Sequence, residues 1–344
     1  MPLNDNPGGF IPPQNGTTES PPRYSGVWTL TAVFQAVGQE NWSNFLSGNI
    51  GLFGGGYTSS GGVYANSIQY IYISTTGNAT NFGSLSNNIT QLAVCGSTTR
   101  GVFVGGSAST GAVNTIEYVT IVVPGNTVDF GDLTNTNHSL SGSSNATRGI
   151  FSGGYYNGTE SNVIEYITIA SVGNATDFGD LTQAREGLAS CSSPTRLIIG
   201  GGNNSITRYN IIDYVTIASI GNATDFGDLI QTNEKLGACS SSTRGVFGGG
   251  YSTSGGKLNV IQYVTIASTG NATDFGDLLS AYYRVTGLSS NTRGVFAGGD
   301  NDATYNNIIQ YVTIASTGDA TDFGDLTAVR ASMGGLSNCS GGVQ

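Results

Sequence analysis

The chain has 344 residues, of which 53 are Gly, 17 Tyr and 14 Phe, while only 10% are charged. Glycine is thus roughly twice its usual share and charge less than half of its own, which excludes a helical bundle, a coiled coil and a charged disordered chain. A net charge of -10 with 12 Lys and Arg offers no basic face for nucleic acid and the wrong sign for an anionic membrane. No apolar run approaches the ~18 residues of a membrane span. The opening MPLNDNPGGF lacks the basic start and apolar stretch of a secretory signal, so the expectation is a soluble chain, without membrane insertion and not exported by the general route.

Residues 1–48 do not repeat. PGGFIPP and ESPPR carry five of the eight prolines, which predicts an extended arm. YSGVWTLTAVFQAVGQENW then brings Tyr24 and both tryptophans, Trp28 and Trp42. Such a segment either plugs its own domain or anchors the chain to a partner by burying aromatics on docking.

From residue 49 onward a repeat dominates. Tyr70, Tyr118, Tyr166, Tyr214, Tyr263 and Tyr311 follow one another at intervals of 48, 48, 48, 49 and 48 residues. Each lies in a run such as IEYITIA, preceded by a Gly-rich strand end such as GVFGGG and followed by a turn and a DFGDL-like segment. In the fifth copy, four strands are expected at LGACSSS, GVFGG, VIQYVTIAS and DFGDLL, because β-branched and aromatic residues alternate with Gly, Asn and Ser turns. A central strand that is apolar on both faces implies a sheet packed between neighbours. Four strands per unit, in six copies, predicts an all-β, six-bladed β-propeller over residues 49–344, with a solenoid as the alternative. No LGACSSS-like strand precedes the first copy, and ASMGGLSNCSGG follows the last. Residues 331–340 are therefore expected to complete the first blade.

The paired glycines and spaced tyrosines resemble the kelch family, with Phe where kelch units carry Trp. Arg185, Arg284 and Arg330 resemble the arginine that opens many kelch units. This resemblance implies a kelch-like propeller and is almost silent on activity. PPRYSGVWTL and the NATDFGDL units also resemble segments of structural proteins of marine bacteriophages. That implies a non-enzymatic virion component, a tail fibre or capsid appendage assembled in the host cytoplasm. It would be held to other virion proteins by its arm, be homo-oligomeric on the particle and touch a host-surface glycan or protein. A carbohydrate-active propeller enzyme and a protein-interaction scaffold are the alternatives.

Five copies carry aspartate pairs, Asp129/Asp132, Asp177/Asp180, Asp225/Asp228, Asp274/Asp277 and Asp322/Asp325, where the first has Asn81 and Ser84. The same five carry Arg100, Arg148, Arg196, Arg244 and Arg293, where the first has Ile50. Paired carboxylates can hydrolyse glycosides or bind calcium. Fivefold repetition points instead to structural Arg–Asp pairs. Asn78, Asn174, Asn222 and Asn271 fit a turn role better than glycosylation. Cys95, Cys191 and Cys239 occupy equivalent positions and so are expected as separate buried thiols; His138 is the only histidine. No catalytic set, cofactor motif or metal spacing stands out. Variation concentrates in the loops after the glycine pairs, which makes Tyr57, Tyr64, Tyr155, Tyr156, Tyr209, Tyr251 and Tyr305 candidates for a recognition face.

Overall fold

The computed structural model describes residues 49–58, 62–302 and 304–339. The arm, with Tyr24, Trp28 and Trp42, lies outside the described residues. Among them there is no helix, and the architecture is all-β and propeller-like, with six four-stranded antiparallel sheets.

The fifth sheet shows how the sequence builds each unit. Its strands are Gly237–Ser240, Arg244–Gly248, Val260–Thr265 and Thr273–Asp277, paired in that order. The second strand is followed by Gly249 and Gly250, with φ of +68° and +102°. A Cβ on Gly249 would stand 2.7 Å from the Tyr282 carbonyl, so the pair permits both the turn and the approach of the next segment. The fourth strand carries a bulge opposite Ile261 and Gln262, which admits Phe275 as an extra residue. Its ring meets Tyr263 edge-on at 5.9 Å, and the same Tyr–Phe contact recurs in all six sheets.

The first sheet is assembled from both ends of the described chain. Gly334–Ser337 pairs with Ile50–Gly54 in the register Gly51↔Ser337 to Gly54↔Gly334, as the missing first strand led us to expect. Asn338 Oδ1 accepts from the Ile50 N–H at 3.0 Å, and the Asn338 N–H donates to the Ile50 carbonyl at 3.1 Å.

Six apolar clusters form the core, each drawing on two consecutive sheets. One joins Leu288, Val295 and Phe323 of the last sheet to Phe53, Ile71 and Ile73 of the first. The middle strand is not wholly apolar, however. Gln69, Glu117, Glu165, Asp213, Gln262 and Gln310 are all buried within it. Each accepts a backbone N–H from the preceding sheet, at 2.8–3.1 Å; Ile230 N–H to Gln262 and Thr327 N–H to Gln69 are examples. The bonds satisfy the buried side-chain oxygens, while the donors stand on exposed residues such as Ile230 and Leu279.

The turn after the third strand reaches back in the same way. The Gly270 N–H donates to the Phe226 carbonyl at 2.8 Å, and Asn271 Oδ1 accepts from the Asp228 N–H at 3.0 Å. Asn78, Asn174 and Asn222 do the same at 3.0–3.1 Å. Their recurrence thus reflects a bond between sheets; the left-handed residues of these turns are glycines, among them Gly77 and Gly270.

Gly227 has φ +143°, and a Cβ there would lie 2.6 Å from the Gly270 carbonyl. Gly256 has φ +68° with open space around it. Gly227→Ala should lower stability in denaturant unfolding by more than about 2 kcal/mol. Gly256→Ala should lose only about 1–2 kcal/mol, the left-handed penalty alone.

Candidate functional site at the mouth of the central cavity

The first strands of all six sheets converge on one cavity of about 130 Å³. Just before each of these strands stands one residue with a left-handed backbone: Gln91 (φ 56°), Ser139 (57°), Gly187 (65°), Lys235 (55°), Arg284 (61°) and Ser332 (53°). Their amides form a circuit. Ser139 N–H donates to Gln91 O, Gly187 to Ser139, Lys235 to Gly187, Arg284 to Lys235, Ser332 to Arg284 and Gln91 back to Ser332, all at 2.7–3.0 Å. Around a second cavity of about 80 Å³, at the far ends of the same strands, the hydroxyls of Ser144, Ser192, Ser240, Ser289 and Ser337 each donate to a carbonyl of the preceding sheet at 2.7–2.8 Å.

These backbone circuits repeat from sheet to sheet, whereas the side chains at the mouth do not. Lys235 and Arg284 are neighbours on the circuit and both line the cavity. The Arg284 guanidinium lies 3.3 Å from Asp300, over the rings of Tyr283 (5.0 Å) and Tyr57 (5.6 Å). Tyr57 meets Tyr64 at 5.2 Å and Tyr305 at 6.2 Å; Tyr283 meets Tyr251 at 5.6 Å, and Arg208 lies 4.8 Å over Tyr251. Arg208 also holds buried Glu234 at 2.8 Å, and Lys235 stands 3.9 Å from the same carboxylate. A continuous arc of tyrosines and cations therefore flanks one side of the mouth. Burial raises the pKa of Tyr57 and Tyr283, and that of Glu186, beside Lys235 and Glu234.

Of the loop tyrosines, Tyr57, Tyr64, Tyr251 and Tyr305 come together in this arc, with Tyr305 buried. Tyr155 packs on His138 at 5.4 Å and Tyr156 is exposed. Tyr209 is half-buried, and its main chain pairs with Gly202 and Asn233. Sequence reasoning missed Tyr283, Lys235 and Arg208. The available signal was chemical variety at one fixed position of the repeat, Gln91 through Ser332.

The expected Arg–Asp pairs do not form. Arg100, Arg148, Arg196, Arg244 and Arg293 donate instead to carbonyls of the next sheet, those of Ile169, Ile217, Ile266, Ile314 and Ile73, at 2.6–2.8 Å. Each guanidinium also covers the ring of Tyr118, Tyr166, Tyr214, Tyr263 or Tyr311 at 4.2–4.5 Å. Register explains the difference. Asp274 pairs with Gln262 and Asp277 with Val260, whereas Arg244 shares its side of the sheet with Val246 and Tyr263. Alternation puts carboxylates and guanidinium on opposite faces, and the same holds for Asp129, Asp132, Asp177, Asp180, Asp225, Asp228, Asp322 and Asp325 in their copies. Where arginine is absent, Ile50 packs in the cluster that contains Ile121. No contact explains why the aspartates are missing from the same copy.

The three kelch-like arginines also separate. The carbonyls of Arg185 and Arg330 accept from Gly154 and Gly299 at equivalent points, whereas Arg284 belongs to the mouth circuit two positions on. Arg185 pairs with Asp213 at 3.1 Å, both fully buried. Aspartate is the shortest side chain found at that position, which leaves room for the guanidinium. All four cysteines are free and buried, and burial pushes the Cys191 thiol up to about 12. Among the described residues, no group of three His, Cys, Asp or Glu is placed to hold a metal ion. No family model matches the chain, and no match is found among curated proteins.

Two outcomes follow from this geometry. Arg244→Ala should lose roughly 2–3 kcal/mol, from a charged hydrogen bond and a cation–π contact. Its coupling to Asp274→Asn in a double-mutant cycle should fall below about 0.5 kcal/mol, and a coupling above about 1 would restore the ion pair. Glu186 is half-buried, and its folded pKa lies above the unperturbed 4.5, so its neutral form is favoured by folding. That contribution is complete below 4.5 and is lost as pH rises through the folded value. Glu186→Gln should therefore raise the melting temperature at neutral pH and leave it unchanged in acid.

Proposed function

We propose that residues 49–344 form a closed six-bladed propeller and that the chain is a non-enzymatic structural protein of a bacteriophage particle, displaying the mouth and its tyrosine arc as a recognition face. Closure is supported by the pairing of Gly334–Ser337 with Ile50–Gly54, by the amide circuit that returns from Ser332 to Gln91, and by the Arg293–Ile73 bond between last and first sheets. The display reading is carried by one observation: the two ends of the described chain lie together, opposite the loops. Asn49 and Asn338 sit at the start of the strand Ile50–Gly54, and Tyr57 and the glycine pair lie beyond its far end. Whatever precedes residue 49 is joined at that end of the sheet, away from Tyr57 and the glycine pair.

The virion assignment rests on the resemblance of PPRYSGVWTL and the NATDFGDL units. The aspartate pairs favour a binding role over hydrolysis, because they stand on the fourth strands and contribute nothing to the cavity lining. The partners in this reading are other virion proteins, further copies of the chain and a host-surface glycan or protein.

Antibody labelling of purified particles is the direct test. The chain should be found in intact virions, and Trp28→Ala should reduce its incorporation at least tenfold while the propeller melts as before. Particles that lack the chain would remove the virion assignment.

A further inference from the structure

We infer that the mouth of the central cavity binds a carboxylated sugar, its carboxylate held between Lys235 and Arg284 and its hydroxyls by the polar side chains of the circuit. This rests on reading the loop face as a recognition surface.

The first support is backbone strain. A left-handed conformation is easy for glycine and unfavourable for other residues. Gly187 shows that glycine serves the amide circuit, yet the other five positions carry Gln91, Ser139, Lys235, Arg284 and Ser332. Side chains kept at strained positions around a cavity mouth point to what those side chains do there.

The second support is unused hydrogen-bonding capacity. Arg284 Nε is buried without a hydrogen-bond partner. Lys235 Nζ stands 3.9 Å from Glu234, too long for a hydrogen bond, and acts on Glu186 through its charge alone. Two cations that line one cavity, one of them with an ammonium that makes no hydrogen bond, suit an oxyanion. Glu186, Glu234 and Asp300 already offset much of their charge, so a monoanionic carboxylate fits better than a dianionic phosphate.

The third is the setting. Ser332 and then Gln91 follow Arg284 along the circuit, offering hydroxyl and amide groups to a polyol, and Tyr57 and Tyr283 flank the arginine. The Lys235 side chain lies over Gly187, where an added Cβ would touch Lys235 Cγ at 3.4 Å. One water needs about 10–15 Å³ of cavity space, so a cavity of about 130 Å³ admits a small organic molecule and not merely an ion.

Calorimetric titration of the full chain with glucuronate tests this, with glucose and inorganic phosphate as comparators and polygalacturonate as the polymeric form. Glucuronate, or polygalacturonate if the site needs a chain, should bind saturably and at least tenfold more tightly than glucose or phosphate. Lys235→Gly and Arg284→Gln should each weaken that binding at least tenfold. Lys235→Gly should melt no lower than the parent, because glycine relieves the left-handed strain, so its loss of binding cannot be assigned to unfolding. No saturable binding of either uronate, binding retained in both variants, or phosphate bound as tightly as uronate would overturn the inference. Adsorption of the parent chain to bacterial cells reads the recognition role separately: cell binding that persists in Lys235→Gly would leave that role standing and remove this site.

Discussion

No sheet in this protein can be stable alone, because each is apolar on both faces. Phe247 and Val264 of the fifth sheet pack towards the fourth, whereas Val246 and Ile261 pack towards the sixth. Every sheet therefore depends on two neighbours, and an array of such sheets leaves two bare faces unless its ends meet. In the proposed ring that problem vanishes, since the sixth and first sheets share a cluster like the other five. Burial drives this packing without direction. Direction comes from the polar contacts laid over it: the buried Gln, Glu or Asp of each middle strand, the Asn or Asp of each turn and the arginine of five second strands all cross to an adjacent sheet.

The same contacts separate what is structural from what is available for recognition. Arg244 and its equivalents are spent on carbonyls and rings, and the asparagines on strand amides, in every copy that has them. Lys235, Arg284, Tyr283 and Arg208 occur once each; Arg284 covers Tyr57 and Tyr283, Arg208 covers Tyr251, and Lys235 shares Glu234 with Arg208. A scaffold held by repeated bonds can let a single loop set diverge, because no loop carries the core.

Much of this was legible in the sequence. The 48-residue spacing of Tyr70 to Tyr311, the glycine pairs and the strand composition determined the all-β class, the number of repeats and the strand positions, since alternation and turn chemistry are local properties of the chain. The absence of a first strand and the presence of a surplus last one even indicated that Gly334–Ser337 would pair with Ile50–Gly54. Only the tertiary structure decided which face each polar residue occupies and what it meets there. A bulge beside Phe275 and the register of Asp274 against Gln262 put the aspartates out of reach of Arg244, although their joint occurrence had suggested a pair. The left-handed backbone at Lys235 and Arg284, and the circuit that brings six residues about 48 positions apart to one mouth, arise from contacts between sheets, which no local pattern in the chain encodes.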